Sequence, residues 1–454
     1  MPKKPTVKFV CDNCGAQYSS WAGRCAQCGE WNTIQEEVVL VVAPGTKQSA
    51  SGVVLQAKPV SLSAAEKDER MRTGMEEVDA VLGGGIVAGS VNLIAGQPGI
   101  GKSTLLLQLA SLVSESYRVL YVSGEESEHQ VGMRAQRLGT AKSERLQLAT
   151  TNIADDVATT IASQVYDFVV VDSIQTMSMQ AVASAPGSVS QITNSAAAIV
   201  AAAKQSNTAV MIVGHVTKEG NIAGPKVLEH IVDVVLQLEG DAYGGFKVLR
   251  ATKNRFGPTS EAAIMEMVEQ GLRTVDNPSQ ALLEERQISD GSVVLATLEG
   301  TRPVLVEVQA LVNKTSYGYP KRAASGVDLN RVNLLIAMLE RRTKLNLADQ
   351  DIYINIVGGL RLQDPAADLA ICMAIASAAK GLQLKQNAVV FGEVGLSGEI
   401  RHVPFIEKRV IEAQKLGFDC AIGPRVRGPK VATKQTFLRV VPDVRTALNE
   451  FLEK

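Results

Sequence analysis

The chain is short of net charge, of aromatic rings and of long apolar runs, and each shortage narrows what it can be. Its 46 lysines and arginines stand against 47 aspartates and glutamates, leaving a formal net charge of -1. That balance argues neither for nor against nucleic acid, so any DNA-binding surface has to come from local patches. Nowhere do about eighteen uncharged apolar residues run together, so no membrane span is expected. No apolar signal core follows the opening Met-Pro-Lys-Lys-Pro, and a cytoplasmic protein is expected. Aromatic residues make up only 4%, while Ala, Val and Leu are common, as in packed α/β layers. His129, His230 and His402 show no metal-binding spacing and read as structural or surface groups. There is no internal repeat and no low-complexity tract. At 454 residues, two or three domains with real cores are expected.

Cysteine is scarce too, except at the start: four of the six cysteines fall within the first thirty residues. Cys11-Asp-Asn-Cys14 and Cys25-Ala-Gln-Cys28 are two Cys-x-x-Cys knuckles, each followed by glycine. Two such pairs supply four thiolates for a tetrahedral Zn²⁺, a closed structural site with no open position. A disulfide scaffold is the rival, but no secretory signal precedes it and the cytosol is reducing. So short a segment depends on its metal to fold. Trp21 and Trp31 are expected to pack on this module or on a partner. Cys372 and Cys420 stand singly in apolar runs and read as core.

The strongest signal is Gly96-Gln97-Pro98-Gly99-Ile100-Gly101-Lys102-Ser103-Thr104. An apolar run, 91–95, precedes it and an apolar helical run, 105–113, follows. Strand, glycine-rich turn and helix are the context a phosphate-binding loop requires. The glycines let backbone N–H groups approach a polyphosphate, and the helix adds the positive end of its dipole. A nucleotide is the expected ligand, with Lys102 reaching the β- and γ-phosphates and Ser103 offering a hydroxyl to Mg²⁺. A plain tight turn explains the glycines but not the Gly-Lys-Ser-Thr that ends the motif.

Helices and apolar strands alternate around this loop, which predicts a parallel sheet covered on both faces. A short amphipathic helix ended by glycines is expected within 72–89. Phe168 to Asp172 is an apolar run closed by an aspartate, read as a strand beside the one feeding the phosphate loop. Asp172 is placed to hold Mg²⁺ directly or through water. Glu125 and Glu126 follow another strand at the same sheet edge, and Glu125 is the candidate for polarising the attacking water. Val234–Leu238, Phe246–Thr252 and Ile264–Val268 read as hairpin-type strands. Lys253-Asn-Arg255-Phe-Gly257 places two cations at i and i+2, which point the same way on an extended chain. They serve either one anionic site, such as a neighbouring subunit's γ-phosphate, or a basic surface turn. Residues 179–190 are flexible in composition. Residues 215–226 are glycine-rich and carry Lys218 and Lys226, which suit DNA phosphate contacts or a solvated loop. In the last third, Arg331, Arg341, Arg342, Lys344, Arg425, Arg427 and Lys430 are candidates for a basic face. The expected layout is a four-cysteine zinc module over 1–32, a linker over 33–61, an ATPase domain over 62–275, a linker over 276–290 and an α/β domain over 291–454.

Taken together, these motifs resemble the bacterial RadA/Sms family of DNA-repair proteins over essentially the whole chain. The order is a zinc module, a RecA-like ATPase, the Lys-Asn-Arg-Phe-Gly signature at 253–257, and a domain similar to the Lon protease domain. The resemblance implies an α/β protein acting as a ring-shaped, hexameric, ATP-driven motor on single-stranded and branched DNA. It would extend heteroduplex by branch migration alongside RecA, without sequence specificity. It also implies Lys102 and Ser103 as the phosphate-loop pair, Glu125 as the water-activating carboxylate and Asp172 as the Walker B residue. Lys253 and Arg255 resemble the Lys-x-Arg of DnaB-type helicases, which implies action across subunits, with 179–190 and 215–226 lining a DNA channel. Lon-type proteases use a serine–lysine pair. The matching stretch here, Asp364-Pro-Ala366-Ala-Asp368, has alanine in the serine's place, and Lys408 or Arg409 stands where the lysine would be. No peptidase activity is expected.

Overall fold

The computed structural model describes residues 6–11, 16–31, 33–39, 70–140, 143–215, 227–240, 245–316, 318–426 and 437–453. The expected zinc ligand Cys14, the expected DNA contacts Lys218 and Lys226, and Arg427 and Lys430 lie outside the described residues. The chain divides into two compact units. One is Met1–Leu238 with Ala251–Thr259 and Glu269–Gly271; the other is Glu239–Arg250 with Ser260–Val268 and Leu272–Lys454.

The first unit begins with a three-stranded antiparallel ribbon of Thr6–Cys11, Gln17–Tyr18 and Ile34–Val39. The third strand pairs with the first along its whole length, Thr6 opposite Val39 and Cys11 opposite Ile34.

The main sheet of this unit is parallel, and its strands run Val234–Gly240, Val91–Gly96, Ala209–His215, Phe168–Asp172, Val119–Ser123, Leu146–Thr150 across the sheet. Every residue of Val91–Gly96 and of Phe168–Asp172 is buried, as strands covered on both faces require. One expectation needs correction. The strand ending in Asp172 is not beside the phosphate-loop strand, because Ala209–His215 lies between them. Val234–Gly240 lies next to Phe246–Asn254 in strand order, as a hairpin strand does, and on its other side pairs in parallel with Val91–Gly96. Hydrophobic pattern identifies a buried strand, but lateral order and direction are set by the crossover connections, which leave no local mark.

The helix Glu128–Leu138 starts at a capping box between Ser127 and Gln130 and stops at Gly139, as its sequence signals ask. The short helix Glu76–Val81 ends in three glycines with positive φ, Gly83, Gly84 and Gly85.

The second unit holds a seven-stranded sheet in the order Arg322–Ser325, Gln350–Ile356, Arg302–Lys314, Ser292–Glu299, Ala388–Val390, Cys420–Gly423, Leu438–Val440. The hairpin formed by Ser292–Glu299 and Arg302–Lys314 is antiparallel, and the strands from Ser292–Glu299 to Leu438–Val440 pair in parallel. Helix Ala367–Lys380 is buried at every position from Ala367 to Ser377 and forms the centre of this core. Cys372 and Cys420 are buried, as expected. Phe246–Arg250 pairs antiparallel with Ala262–Glu266. Within the polar stretch 276–290 the chain forms a helix, Pro278–Leu283, capped by Asn277 with proline in its first turn. The Asn-Pro-Ser text is a helix-start signal as much as a loop signal.

No described helix is long and apolar enough to cross a membrane.

Candidate active site

The helix Lys102–Val113 starts directly at the phosphate loop, with Gly101 as its N-cap at φ +113, a conformation side chains disfavour. The buried Lys102 folds back over the loop, its Nζ donating to Gly96 O at 2.9 Å and Gln97 O at 3.0 Å. Burial lowers its pKa to about 8, opposed by the nearby carboxylates of Asp172 and Glu125. Backbone carbonyls are partners that a polyphosphate can replace. Gln97, Pro98 and Gly99 are exposed, while Ser103 and Thr104 are half-buried at the first helical turn.

Asp172 and Glu125 end up at one sheet edge because their strands pair in parallel, with Ser123 opposite Asp172. Gly124 N then donates to Asp172 O at 2.8 Å. Asp172 is buried, and its Oδ2 accepts a hydrogen bond of 2.5 Å from the Tyr121 hydroxyl. Burial, then the charge of Asp172, pushes the Tyr121 phenol well above its ordinary pKa, so it stays a donor. Glu125 is exposed, and one carboxylate oxygen accepts from Ser173 Oγ. Its neighbour Glu126 is tied to Arg134 in an ion pair. The adjacent carboxylates thus have different surroundings, one paired with a cation and one beside Lys102. Tyr121 and Ser173 are additions that the sequence reading missed. Tyr121 alternates with Ser123 along its strand, and this period-2 polar signal was visible in the sequence.

Lys253 and Arg255 are near enough for their charges to interact, but each has partners of its own. Lys253 Nζ donates to Glu229 O at 2.7 Å and Val232 O at 2.8 Å, closing the end of the short helix Val227–Ile231. Burial and then the charge of Arg255 lower its pKa. Arg255, 56% exposed in its side chain, lies 3.1 Å from Asp233 Oδ1. Asp233 is itself buried, bound by Lys204 and by Val91 N at 3.0 Å. Burial opposes ionisation there, but the donors together lower its pKa. Asp233 therefore joins the start of the phosphate-loop strand to the Lys-Asn-Arg-Phe-Gly turn. The other side of that turn rests on the glycines before the phosphate-loop strand. A Cβ on Gly257 would lie 2.7 Å from Gly83 Cα, so neither residue tolerates a side chain. Arg70 NH2 donates to Phe256 O at 3.0 Å, and Asn254 Nδ2 to Val81 O at 3.2 Å.

The ribbon brings Cys11, Cys25 and Cys28 together, their Sγ atoms all within 4.8 Å of one another. Cys11 and Cys28 Sγ are 3.7 Å apart, close to the edge of about 3.8 Å that a tetrahedron with 2.3 Å zinc–sulfur bonds requires. The Tyr18 hydroxyl lies 3.0 Å from Cys25 Sγ and is the main reason that thiol falls to about 5. A thiolate at neutral pH is the form that binds zinc. Trp21 and Trp31 are 60% and 67% exposed, so they cap no core of the ribbon.

Residues 179–190 are less free than their composition suggests. Gln191 is buried, and its amide donates to Val182 O at 2.8 Å and Ser184 O at 2.9 Å while accepting from Met179 N at 2.8 Å. One side chain outside the stretch holds its first half in shape.

In the second unit, Ala366 is fully buried at the start of helix Ala367–Lys380. Of the two candidates for the basic position, Arg409 is the one that comes here. Its side chain is completely buried, 2.7 Å from Asp364 Oδ2, and its NH1 donates to Ala296 O at 2.5 Å. Lys408 instead donates to Thr301 O at 3.1 Å. The expected basic face is also depleted. Arg331 is bound to the buried Asp368, with Nε 3.0 Å from Oδ1, and donates to Val394 O at 3.0 Å. Arg342 Nε donates to Leu396 O at 3.3 Å.

Comparison with known families matches residues 9–36 to a rubredoxin metal binding domain, 56–221 to an AAA domain and 318–426 to subunit ChlI of Mg-chelatase. The chain is 48% identical to DNA repair protein RadA of Bacillus subtilis, with 93% of each chain covered. It is 47% identical to the Halalkalibacterium halodurans protein of that name, again over 93% of each. With the Escherichia coli protein it shares 44% identity over 99% of each. A zinc ribbon, a RecA-like ATPase sheet with its ATP-binding loop, and a ChlI- or Lon-like α/β domain follow one another along one chain. On that order and those identities, the chain belongs to the RadA family of DNA repair proteins.

Proposed function

We propose that this chain is a DNA-dependent ATPase of recombinational repair, a hexameric ring-forming motor on single-stranded DNA. It promotes branch migration and heteroduplex extension alongside RecA, on single-stranded and branched DNA without sequence preference. The observation that carries this reading is the meeting of Lys102, Asp172 and Glu125 at one edge of a parallel sheet in a RadA-family chain. Lys102 leaves its loop carbonyls to bind the β- and γ-phosphates. Ser103 and Asp172 would hold Mg²⁺, which when bound offsets phosphate charge; the buried, hydrogen-bonded carboxylate of Asp172 suits an oxygen-seeking cation. Glu125 orients the attacking water and takes its proton. Lys253 and Arg255 act on the γ-phosphate bound by a neighbouring subunit, Arg255 exchanging Asp233 for it. Lys218 and Lys226 contact DNA phosphates in the central channel. The zinc ribbon contacts RecA, DNA or the next subunit. The Lon-like domain is a scaffold or DNA-binding domain without proteolytic activity, since Ala366 offers no nucleophile and Arg409 no base. The working layout is 1–32, 62–275 and 291–454 as functional domains, in a cytoplasmic protein.

ATP hydrolysis measured with and without single-stranded DNA tests the reading, beside Lys102→Ala and Arg255→Ala. Strong DNA stimulation lost in both variants is the expected result. A DNA-indifferent activity that Arg255→Ala leaves intact would replace the motor by a nucleotide switch.

A further inference from the structure

The hydrogen bond between Ser173 and Glu125 points beyond this assignment of roles. Ser173 follows Asp172 directly, is fully buried, and donates its hydroxyl to Oε1 of the exposed Glu125. Glu125 lies just past its own strand, on a segment attached to the strand of Asp172 by Gly124 N to Asp172 O at 2.8 Å. Ser173 is fixed from its other side as well, its carbonyl accepting from Thr176 Oγ1 at 2.9 Å within the turn Ile174–Thr176. Its hydroxyl is therefore a donor on a rigid base aimed at a carboxylate on an exposed loop. An exposed glutamate has three rotatable bonds, and a general base must present one oxygen to the water along a narrow line.

We propose that Ser173 is a positioning residue for hydrolysis. Its hydroxyl holds one oxygen of Glu125 so that the carboxylate faces the nucleotide beside Lys102. This rests on Glu125 being the base. Ser173 does not touch the nucleotide in this assignment and acts only through Glu125. Its loss therefore lowers turnover and leaves nucleotide binding as it was.

The test compares the full-length protein with Ser173→Ala, Ser173→Thr, Glu125→Gln and the double variant Ser173→Ala/Glu125→Gln. Steady-state ATP hydrolysis gives kcat and KM, and a fluorescent ATP analogue gives binding. Thermal melting shows that each variant is folded. Ser173→Ala is expected to lower kcat about tenfold, the worth of one lost orienting hydrogen bond, with analogue affinity unchanged and with recovery in Ser173→Thr. In the double variant, Ser173→Ala should cost nothing beyond Glu125→Gln, because the group it orients is already gone. An equal loss in the wild-type and Glu125→Gln backgrounds, or unchanged kcat in Ser173→Ala, overturns the proposal while Glu125 remains the base. If Glu125→Gln itself hydrolyses ATP normally, the assignment of the base fails, and the positioning role fails with it.

Discussion

Two places in this molecule set a buried basic side chain near the start of a helix, and they differ in what it holds. At the phosphate loop, Lys102 donates to two backbone carbonyls, Gly96 and Gln97, and stands near the carboxylates of Asp172 and Glu125. At the start of helix Ala367–Lys380, Arg409 is completely buried and takes Asp364, Ala296 O and Pro404 O as partners. Its NH2 contacts Asp364 as an ion pair at 2.7 Å without an aligned hydrogen bond. The first arrangement has only neutral carbonyl partners, which a ligand can replace. The second is a closed structural pair in which the carboxylate and both carbonyls are already committed. Geometry around the cation, more than its presence, separates a binding site from a buried strut.

The largest effect expected from breaking this comparison is at the strut. Asp364→Leu leaves the Arg409 guanidinium buried without its counter-charge, which should cost about 3–5 kcal/mol of stability. Urea denaturation of the full chain measures it. The double variant Asp364→Leu/Arg409→Met should recover most of the loss, since a buried pair is replaceable by apolar side chains while half a pair is not. A single variant as stable as the parent would mean that water reaches Arg409 and that the site is open like the phosphate loop.

A second effect comes from Glu299, which is 3% exposed in its side chain and 2.7 Å from Arg250. Burial raises its pKa from 4.5 to about 7, partly offset by Arg250 and reinforced by Glu239 and Asp364. Because the folded-state value is the higher one, the folded protein holds a proton there between about pH 4.5 and 7 that the unfolded chain has lost. Stability from this group therefore falls as pH rises through that window and is flat above it, a change of at most about 3 kcal/mol. Glu299→Gln cannot titrate. Its melting temperature relative to the parent should rise between pH 5 and pH 8; a constant difference would mean that Glu299 is ionised throughout.

How much of this was written in the sequence depends on the range of the interaction concerned. The phosphate loop, the paired Cys-x-x-Cys knuckles and the helix Glu128–Leu138 follow from neighbours a few residues apart, and spacing exposes them. The nearness of Lys253 and Arg255 was legible too, because i and i+2 on an extended chain share a face. Asp233 as the anchor of Arg255 was not, since its partners Val91, Lys204 and Arg255 come from three separate elements. The strand between Asp172 and the phosphate loop, the hold of Gln191 on residues 179–184, and the choice of Arg409 over Lys408 are likewise set by tertiary packing. A residue pattern shows that a charge is buried; it does not show which charge lies opposite.

A smaller effect sharpens the open side of the comparison. Tyr121→Phe removes the hydroxyl that donates to Asp172 and leaves the ring in place. One lost hydrogen bond to a carboxylate is worth about 1.5–3 kcal/mol at most. If Asp172 holds Mg²⁺, the magnesium concentration for half-maximal ATP hydrolysis should rise several-fold. An unchanged requirement would show that Tyr121 serves packing alone.

The smallest effect expected is none, and it tests the strut from the chemical side. Ala366→Ser restores a hydroxyl where the Lon-type nucleophile stands. A serine there still needs a base to take its proton, and Arg409, the candidate that comes to this stretch, stays charged and is held by Asp364. Peptide hydrolysis by Ala366→Ser should match the background of the parent, and a serine-reactive fluorophosphonate probe should label neither. Labelling of Ala366→Ser would mean that some other group deprotonates residue 366, making this second site a dormant enzyme rather than a closed one. If labelling appears only when Arg409→Lys is added, the arginine itself is what keeps the site inert, since lysine is the one of the two that can give up its proton near neutral pH when buried.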